Sequence, residues 1–156
     1  MFFGLAMLVP SNMNSQTVVD IFHLPPAKDC KANDLHAVSA RLDFELCGPT
    51  CQEGQVIYYD LILAIDNTTN SERTSFSFFA RLEQYNPDGS LAHTYFVAGC
   101  NGPIPKDGIT SVTYNSSLVV LDEDGKATGF PGIPYLCGGS LKLIEVGTYP
   151  ALQPKC

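Results

Sequence analysis

Cysteine is the residue type in this chain with the clearest chemical potential, because its thiolate can bind metals or act as a nucleophile. The six cysteines are Cys30, Cys47, Cys51, Cys100, Cys137 and Cys156. No two of them form a C-x-x-C pair, and no nearby histidine completes a ligand set, so their spacing does not favour a zinc site. An even number is instead what a fully paired disulfide framework requires. We therefore predict disulfide bonds and an oxidising, extracellular or cell-surface location.

The pairing of these cysteines is left open by their spacing. Three residues separate Cys47 from Cys51, so these two cysteines bond to each other or each ties this corner to a different segment. Cys100 and Cys137 both lie in Gly/Pro-rich loops that flank the same strand region, which favours a bond between them. Cys156 is then expected to anchor the C-terminal tail.

Catalytic motifs are absent from the sequence: it contains no G-x-S-x-G, no H-E-x-x-H, no P-loop and no G-x-G-x-x-G. The three histidines, His23, His36 and His93, lie before a Pro-Pro pair, at a strand start and within a hairpin strand. A His-Cys dyad would need a free thiol, which the even cysteine count disfavours. We expect surface or strand-pairing roles for these histidines, and a protein that is not an enzyme and holds no cofactor.

The acidic residues 122–125 are the remaining place where a metal could bind. Asp122 and Asp124 stand at positions 1 and 3 of a potential calcium loop. The pattern then fails, because Ala127 replaces the glycine of position 6 and Ile133 the glutamate of position 12. A turn at Gly125 is therefore favoured, and Asp122 and Asp124 remain weak calcium candidates.

Charge and composition exclude several classes of protein. Nine Lys and Arg against sixteen Asp and Glu give a formal net charge of -7, and no basic run occurs. Phosphate recognition needs such a patch, so nucleic acids and anionic membrane surfaces are poor partners. With 45% hydrophobic and 16% charged residues the chain is too apolar to be disordered. Its 156 residues correspond to one domain.

Two N-glycosylation sequons, at Asn67 and Asn115, agree with secretion. Residues 1–9 form an uncharged apolar run, which is too short for a bilayer that needs about twenty residues. This run is either a shortened signal sequence without its basic region or an apolar strand or tail that the mature protein keeps. We divide the chain into an N-terminal segment, residues 1–16, and one domain, residues 17–156.

The elements that must position these residues are strands, because apolar and polar residues alternate with period two and helical periodicity is nearly absent. In residues 38–46, Val38, Ala40 and Leu42 share one face and Arg41 and Asp43 the other. Residues 86–89 predict a tight turn, and a phase slip between Leu143 and Ile144 predicts a bulge. The predicted strands are 17–22, 38–46, 55–66, 74–85, 91–97, 109–121 and 141–146.

Seven or eight strands at this spacing are typical of an antiparallel two-sheet sandwich, all-β and stapled by disulfides. The chain has no Trp, so "immunoglobulin-like" describes its architecture and not its family. Seven tyrosines could furnish a binding surface, although most are expected to pack on strands. They are Tyr58, Tyr59, Tyr85, Tyr95, Tyr114, Tyr135 and Tyr149.

The last third of the chain resembles one known family. Cys100 begins a Gly/Pro-rich segment, residues 100–108, which is followed by the turn at 122–125 and then by Cys137 before a final strand. This order is similar to that of the MD-2-related lipid-recognition family, whose members are secreted sandwiches of similar length with several disulfides. The chain departs from the family because Gly102 separates the cysteine segment from Pro103 and because residues 129–136 are extra. The resemblance implies an apolar ligand held between two sheets.

Two functions follow from these observations. The first is a non-enzymatic extracellular structural or interaction module: an adhesion protein, or a subunit of an assembly that residues 1–22 join by strand addition. Its partner would be another protein or a second copy of the chain, and neither a nucleic acid nor a membrane span is expected. The alternative is a secreted lipid-binding sandwich.

Overall fold

The computed structural model describes residues 18–23, 34–43, 51–115 and 117–149. Within these ranges the chain is all-β, as predicted, with ten strands and no helix. The strands are β1 (Val18–His23), β2 (Leu35–Leu42), β3 (Val56–Tyr59), β4 (Leu61–Asn67), β5 (Phe76–Tyr85), β6 (Leu91–Asn101), β7 (Gly108–Tyr114), β8 (Leu118–Leu121), β9 (Ile133–Leu136) and β10 (Ser140–Tyr149).

Eight of these strands form one continuous sheet in the order β7-β4-β2-β1-β10-β5-β6-β8. Its neighbours pair antiparallel, as expected, except that β1 and β10 run parallel. The remaining two strands, β3 and β9, form a separate antiparallel pair.

The eight-stranded sheet folds back on itself. Only residues 115–117 join β7 to β8, although these strands lie at opposite edges of the sheet. Such a linker spans at most about 14 Å, whereas the edges of a flat eight-stranded sheet would lie about 34 Å apart. The sheet must therefore curl until its edges approach. We call β7-β4-β2-β1 the first half-sheet and β10-β5-β6-β8 the second half-sheet.

Side chains between the two half-sheets form one buried core. Tyr114 of β7 reaches across it: its hydroxyl donates to the Phe76 carbonyl at 3.0 Å, and its ring meets that of Phe78 edge-on, with centroids 5.0 Å apart. At Gly99 of β6, an added Cβ would lie 2.8 Å from both the Phe78 and the Tyr114 rings. The core is therefore filled at this end of the molecule.

The strand count exceeds the predicted seven or eight because two long predicted strands divide. Residues 55–66 break at Asp60, whose carbonyl accepts the Asp43 N–H at 2.9 Å, so β3 pairs with β9 while β4 enters the main sheet. Residues 109–121 break at 115–117, which separates β7 from β8. The Gly/Pro-rich segment around Cys137, in which no strand was predicted, contains β9.

Two bulges shift the predicted faces of strands. In β2 the register shifts between Ala37 and Ser39, so Ala37 is buried and Val38 is exposed, contrary to the predicted alternation. In β10 the predicted bulge is confirmed, but its register shift lies between Ile144 and Gly147. A positive φ of 53° at Glu145 accompanies it.

The predicted turn at residues 86–89 is confirmed and joins β5 to β6. Gly89 has φ 84°, and its N–H donates to the Asn86 carbonyl at 2.9 Å. Positive φ is a conformation that glycine adopts without steric cost, which explains the glycine at this position.

A disulfide between Cys51 and Cys137 ties the segment before β3 to the end of β9, with Cα atoms 5.6 Å apart. The expected Cys100–Cys137 bond is therefore wrong. Cys100 is disulfide-bonded elsewhere, and Cys30, Cys47 and Cys156 lie outside the described residues. The prediction relied on the positions of the two Gly/Pro-rich loops in the sequence. In the structure β9 pairs with β3, which brings Cys137 to Cys51 instead. These bonds are consistent with an oxidising extracellular environment.

Candidate functional site

The outer face of the second half-sheet, which points away from the core, exposes a continuous group of apolar side chains. Cross-strand pairing places Phe79 of β5, Ala98 of β6 and Val119 of β8 in one row. The next row contains Arg81, Phe96 and Leu121. Phe79 is 40% exposed, Phe96 47% and Val119 52%. Adjacent rows on one face of a sheet are in side-chain contact range, so these residues form one patch.

The two rows border an open groove of about 350 Å³, which we call the outer-face groove. Phe79 borders the groove and lies over Gly147 of β10, where an added Cβ would come within 2.1 Å of the phenyl ring. The glycine thus lets the ring lie flat across the neighbouring strand. This volume falls within the range of pockets that receive ligands or partner side chains.

Charged residues of both signs lie on the β5–β10 side of the groove. The Arg81 guanidinium lies 3.3 Å from the Glu145 carboxylate and 3.5 Å from that of Glu83. The hydroxyl of Tyr85 donates to Glu83, and this hydrogen bond raises the pKa of Tyr85. Lys142 lies over the Tyr85 ring, 4.6 Å from its centroid. The charged rim, Arg81, Glu83, Lys142 and Glu145, therefore contains two positive and two negative side chains.

The outer face of the first half-sheet has no comparable patch among the described residues. Ile109 is 66% exposed, but its row contains Asp66 and His36. The neighbouring row on the same face contains Ser39 of β2 and Ser111 of β7, which are polar and exposed. Val38 of β2 is also exposed, at 49%, but β4 separates its strand from that of Ile109. Each is therefore an isolated apolar side chain, which is common on protein surfaces.

The tyrosines that the sequence singled out divide among different environments. Tyr114 and Tyr135 are buried in the core, as expected for packing residues. Burial raises the pKa of Tyr114 well above its ordinary value. Tyr58 stacks on Phe130 with ring centroids 4.9 Å apart, and Tyr59 meets Tyr135 edge-on at 6.1 Å.

Tyr95 lies close to Tyr58, at the β3–β9 end of the molecule. Burial is the main cause that raises its pKa, and nearby Tyr58, Glu123 and Asp122 add to the effect. Tyr85 lies instead at the rim of the outer-face groove, and the Tyr149 side chain is outside the described part of the chain.

The two sequons lie in opposite environments. Asn67 is fully buried, and its amide nitrogen, the atom to which a glycan would attach, donates to the carbonyls of Ser71, Ile104 and Pro105. Asn115 is exposed, in the connection between β7 and β8. Only Asn115 is open to modification in the folded chain.

The weak calcium candidates serve the turn in which they lie. Oδ1 of Asp122 accepts the backbone N–H of Asp124 at 3.1 Å and that of Lys126 at 2.8 Å. Gly125 has φ 75°, as a turn there requires. Within the described ranges, no group of three or more His, Cys, Asp or Glu side chains could hold a metal ion.

The structure brings none of the three histidines into a catalytic arrangement with another predicted site residue, within the ranges it describes. His36 is exposed in the row of Asp66. His93 is exposed, with its ring centroid 6.0 Å from that of Tyr95. The His23 side chain is not described.

Sequence reasoning missed Phe79 and Phe96 as site residues. Alternation along the predicted strand 74–85 places Phe76, Phe78, Ala80 and Leu82 on one inward face, and all four are buried. The signal that could have found the patch was Phe79 on the opposite face of β5, in phase with Arg81. On β6, Phe96 and Ala98 also lie on the face opposite the core, where they pair with Arg81 and Phe79 of β5.

Comparison with protein-family models, with curated proteins and with solved structures finds no match to this chain. Among the described residues, no helix is long and apolar enough to cross a membrane. Function is therefore inferred from the chain's own geometry.

Proposed function

We propose that this chain is a non-enzymatic extracellular interaction module of immunoglobulin-like sandwich architecture that binds a protein through its outer-face groove. The single observation that carries the proposal is the exposed apolar patch of Phe79, Phe96 and Val119 on one side of the molecule. Aromatic residues at the centre of a patch with charged residues around it are typical of protein interfaces.

The size of the patch sets the strength expected of such contact. Its apolar side chains offer roughly 300 Å² of exposed surface, given the area of aromatic side chains and their exposed fractions. Covering this area contributes about 7 kcal/mol from this chain's side of the contact, and association itself costs at least about 4 kcal/mol. We therefore expect weak or moderate affinity from the patch alone, with the charged rim setting orientation.

Strand addition through residues 1–22 is less favoured by the geometry than contact through this face. Residues 18–22 belong to β1, which already pairs with β2 on one side and β10 on the other in the same chain. A strand donated to a neighbour would have to come from residues 1–17, which lie outside the described ranges.

The lipid-binding alternative needs space between the half-sheets. In the described residues that region is occupied by packed side chains such as Tyr114, Phe78 and Leu118, which leave room only for glycine at position 99. The groove of about 350 Å³ lies on the outer face instead. No specific observation thus favours lipid binding over protein contact.

Hydroxyl-radical footprinting in the native extracellular fluid tests the proposal. The oxidation rates of Phe79 and Phe96 should fall several-fold there, relative to the dilute purified chain, because the partner covers them. Phe130, which is 62% exposed and does not line the groove, is the matched control and should keep its rate. Equal rates for Phe96 in both settings would overturn the proposal.

A further inference from the structure

We propose that the protein that covers the outer-face groove is a second copy of this chain, packed face to face in a twofold-symmetric dimer. This inference rests on the proposed function, since it names the partner for the same surface. Three observations support it: the charges at the rim, the area of the face, and the groups of the chain that cover the edges of the eight-stranded sheet.

The charged rim is complementary to itself. A twofold dimer brings the same surface together from both copies, so the surface must offer partners for its own charges. Arg81 and Lys142 supply two positive charges, and Glu83 and Glu145 supply two negative charges, all on the neighbouring strands β5 and β10. A partner of a single charge sign would meet a like charge at this rim, whereas a second copy provides both signs.

The net charge of -7 on each copy opposes dimerisation only weakly at this face. The four rim charges sum to zero, and the Glu123 carboxylate, which accepts the Thr94 N–H at 3.1 Å, adds one negative charge near them. Charges farther away than about 8 Å are largely screened at physiological salt. The repulsion between the two copies therefore lowers affinity without excluding the contact.

The area of the face is sufficient for a specific dimer. The apolar patch contributes roughly 300 Å² per copy, and the charged rim with Tyr85 and Thr94 brings the buried surface to about 600–700 Å² per copy. Two such surfaces reach the lower part of the range for standard protein interfaces, about 1,200 Å² in total. Phe79 and Phe96 then lie at the centre, where aromatic side chains contribute most to binding.

Contact through the free edges of the sheet is obstructed by the chain itself. On β8, Thr128 donates its N–H to the Val120 carbonyl at 3.1 Å, and Ala127 forms a bridge to Leu121. On β7, the Asn101 side chain donates to the Thr113 carbonyl at 2.6 Å. Such covering groups are how proteins prevent edge-to-edge pairing. Face-to-face packing avoids these groups.

Sedimentation equilibrium of the full, disulfide-intact chain tests the assignment. The wild-type chain should dimerise in the micromolar range, and Phe96→Glu should weaken the dimer at least roughly 30-fold because it places a charge at the centre. Ile109→Glu, an exposed apolar residue on the first half-sheet, is the matched control and should dimerise as the wild type does. Both variants should retain the wild-type urea midpoint, since both positions are exposed.

Reversal of the rim charges tests the symmetry. An acidic rim, made by Arg81→Glu with Lys142→Glu, should repel its own copy and remain monomeric. A basic rim, made by Glu83→Lys with Glu145→Lys, should do the same. An equimolar mixture of the two should form a heterodimer, because the opposite rims attract. A mixture that stays monomeric would overturn the proposal, as would unequal self-association of wild-type and Ile109→Glu chains.

The outcomes separate this inference from the proposed function. A purified chain that stays monomeric, while Phe79 and Phe96 are protected in native fluid, overturns the second copy and leaves contact with a different protein. Absence of protection at both residues in native fluid overturns both proposals.

Discussion

Asn67, the last residue of β4, holds two connections together by five hydrogen bonds, and Asn67→Asp tests how much they stabilise the fold. Its Nδ2 donates to the carbonyls of Ser71 and Pro105, each at 3.0 Å, and to that of Ile104 at 3.4 Å. Its Oδ1 accepts the N–H of Thr69 at 3.1 Å and the hydroxyl of Thr69 at 2.8 Å. The β4–β5 connection is thereby fastened to the β6–β7 connection.

The aspartate would place an oxygen where the amide donor now faces carbonyl oxygens. At pH 7 the buried carboxyl must either remain ionised against these carbonyls or take up a proton, and protonating a group of pKa about 3.9 at pH 7 costs about 4 kcal/mol. Near pH 4 this cost nearly vanishes, and the protonated acid still donates one hydrogen bond, so the loss is about 1 kcal/mol. Because the pKa of the new carboxyl is raised in the folded state, the variant keeps its stability below about pH 4 and loses it as pH rises.

Urea unfolding with the disulfides intact, at pH 4 and at pH 7, measures this difference. Relative to wild type at the same pH, Asn67→Asp should lose about 4–5 kcal/mol at pH 7 and about 1 kcal/mol at pH 4. Asn67→Ala, which cannot titrate, should lose about 2–3 kcal/mol at both values. Asn115→Asp, at an exposed position, should change stability by less than about 0.5 kcal/mol. The reasoning is refuted if Asn67→Asp costs the same at both pH values.

Three further predictions concern the core, the disulfide and the sequons. Because burial raises the pKa of Tyr114 above its ordinary value of 10.0, the folded state should lose stability as pH rises above 10. Tyr114→Phe should lower the unfolding free energy by about 1 kcal/mol at pH 7 and remove part of the alkaline loss. Urea unfolding that shows the same alkaline loss in wild type and variant would contradict this. The double change Cys51→Ser with Cys137→Ser opens a loop of 86 residues and should lower the unfolding free energy by about 4–5 kcal/mol, which an unshifted urea midpoint would disprove. Peptide mapping of the secreted protein should find glycan at Asn115 and none at Asn67, since Asn67 is buried; an occupied Asn67 in folded protein would be incompatible with its hydrogen bonds.

Period-two alternation was sufficient to predict the class of fold and the most regular strand pair. Phe76, Phe78, Ala80 and Leu82 of β5 are all buried, as their spacing indicated. The alternation could not reveal the bulge beside Val38, because an extra residue in a strand leaves the composition of both faces plausible. It also could not reveal that β1 and β10 pair in parallel, since this pairing joins residues more than a hundred positions apart.

The candidate site was harder to predict because it consists of ordinary apolar residues on the unexpected face of regular strands. Asp122 and the cysteines were the predicted candidates because carboxylates and thiolates can bind metals. In the structure Asp122 accepts hydrogen bonds within its own turn, and Cys137 bonds to Cys51. Phe79 and Phe96 become a patch only when the β5–β6 register places their rows side by side. Which exposed residues of different strands become neighbours depends on the register of the whole sheet, which no local pattern contains.

Contact through the outer-face groove is tested most directly by site-specific photo-crosslinking in the native extracellular fluid. A benzophenone side chain replaces Phe96 in one preparation and Ile109, which is the more exposed of the two, in a second, so that exposed positions on the two half-sheets are compared. We expect a crosslinked protein at position 96 in several-fold higher yield than at position 109, with mass spectrometry of the joined peptides identifying a second copy. Equal yields at the two positions would contradict the assignment of this face as the binding surface.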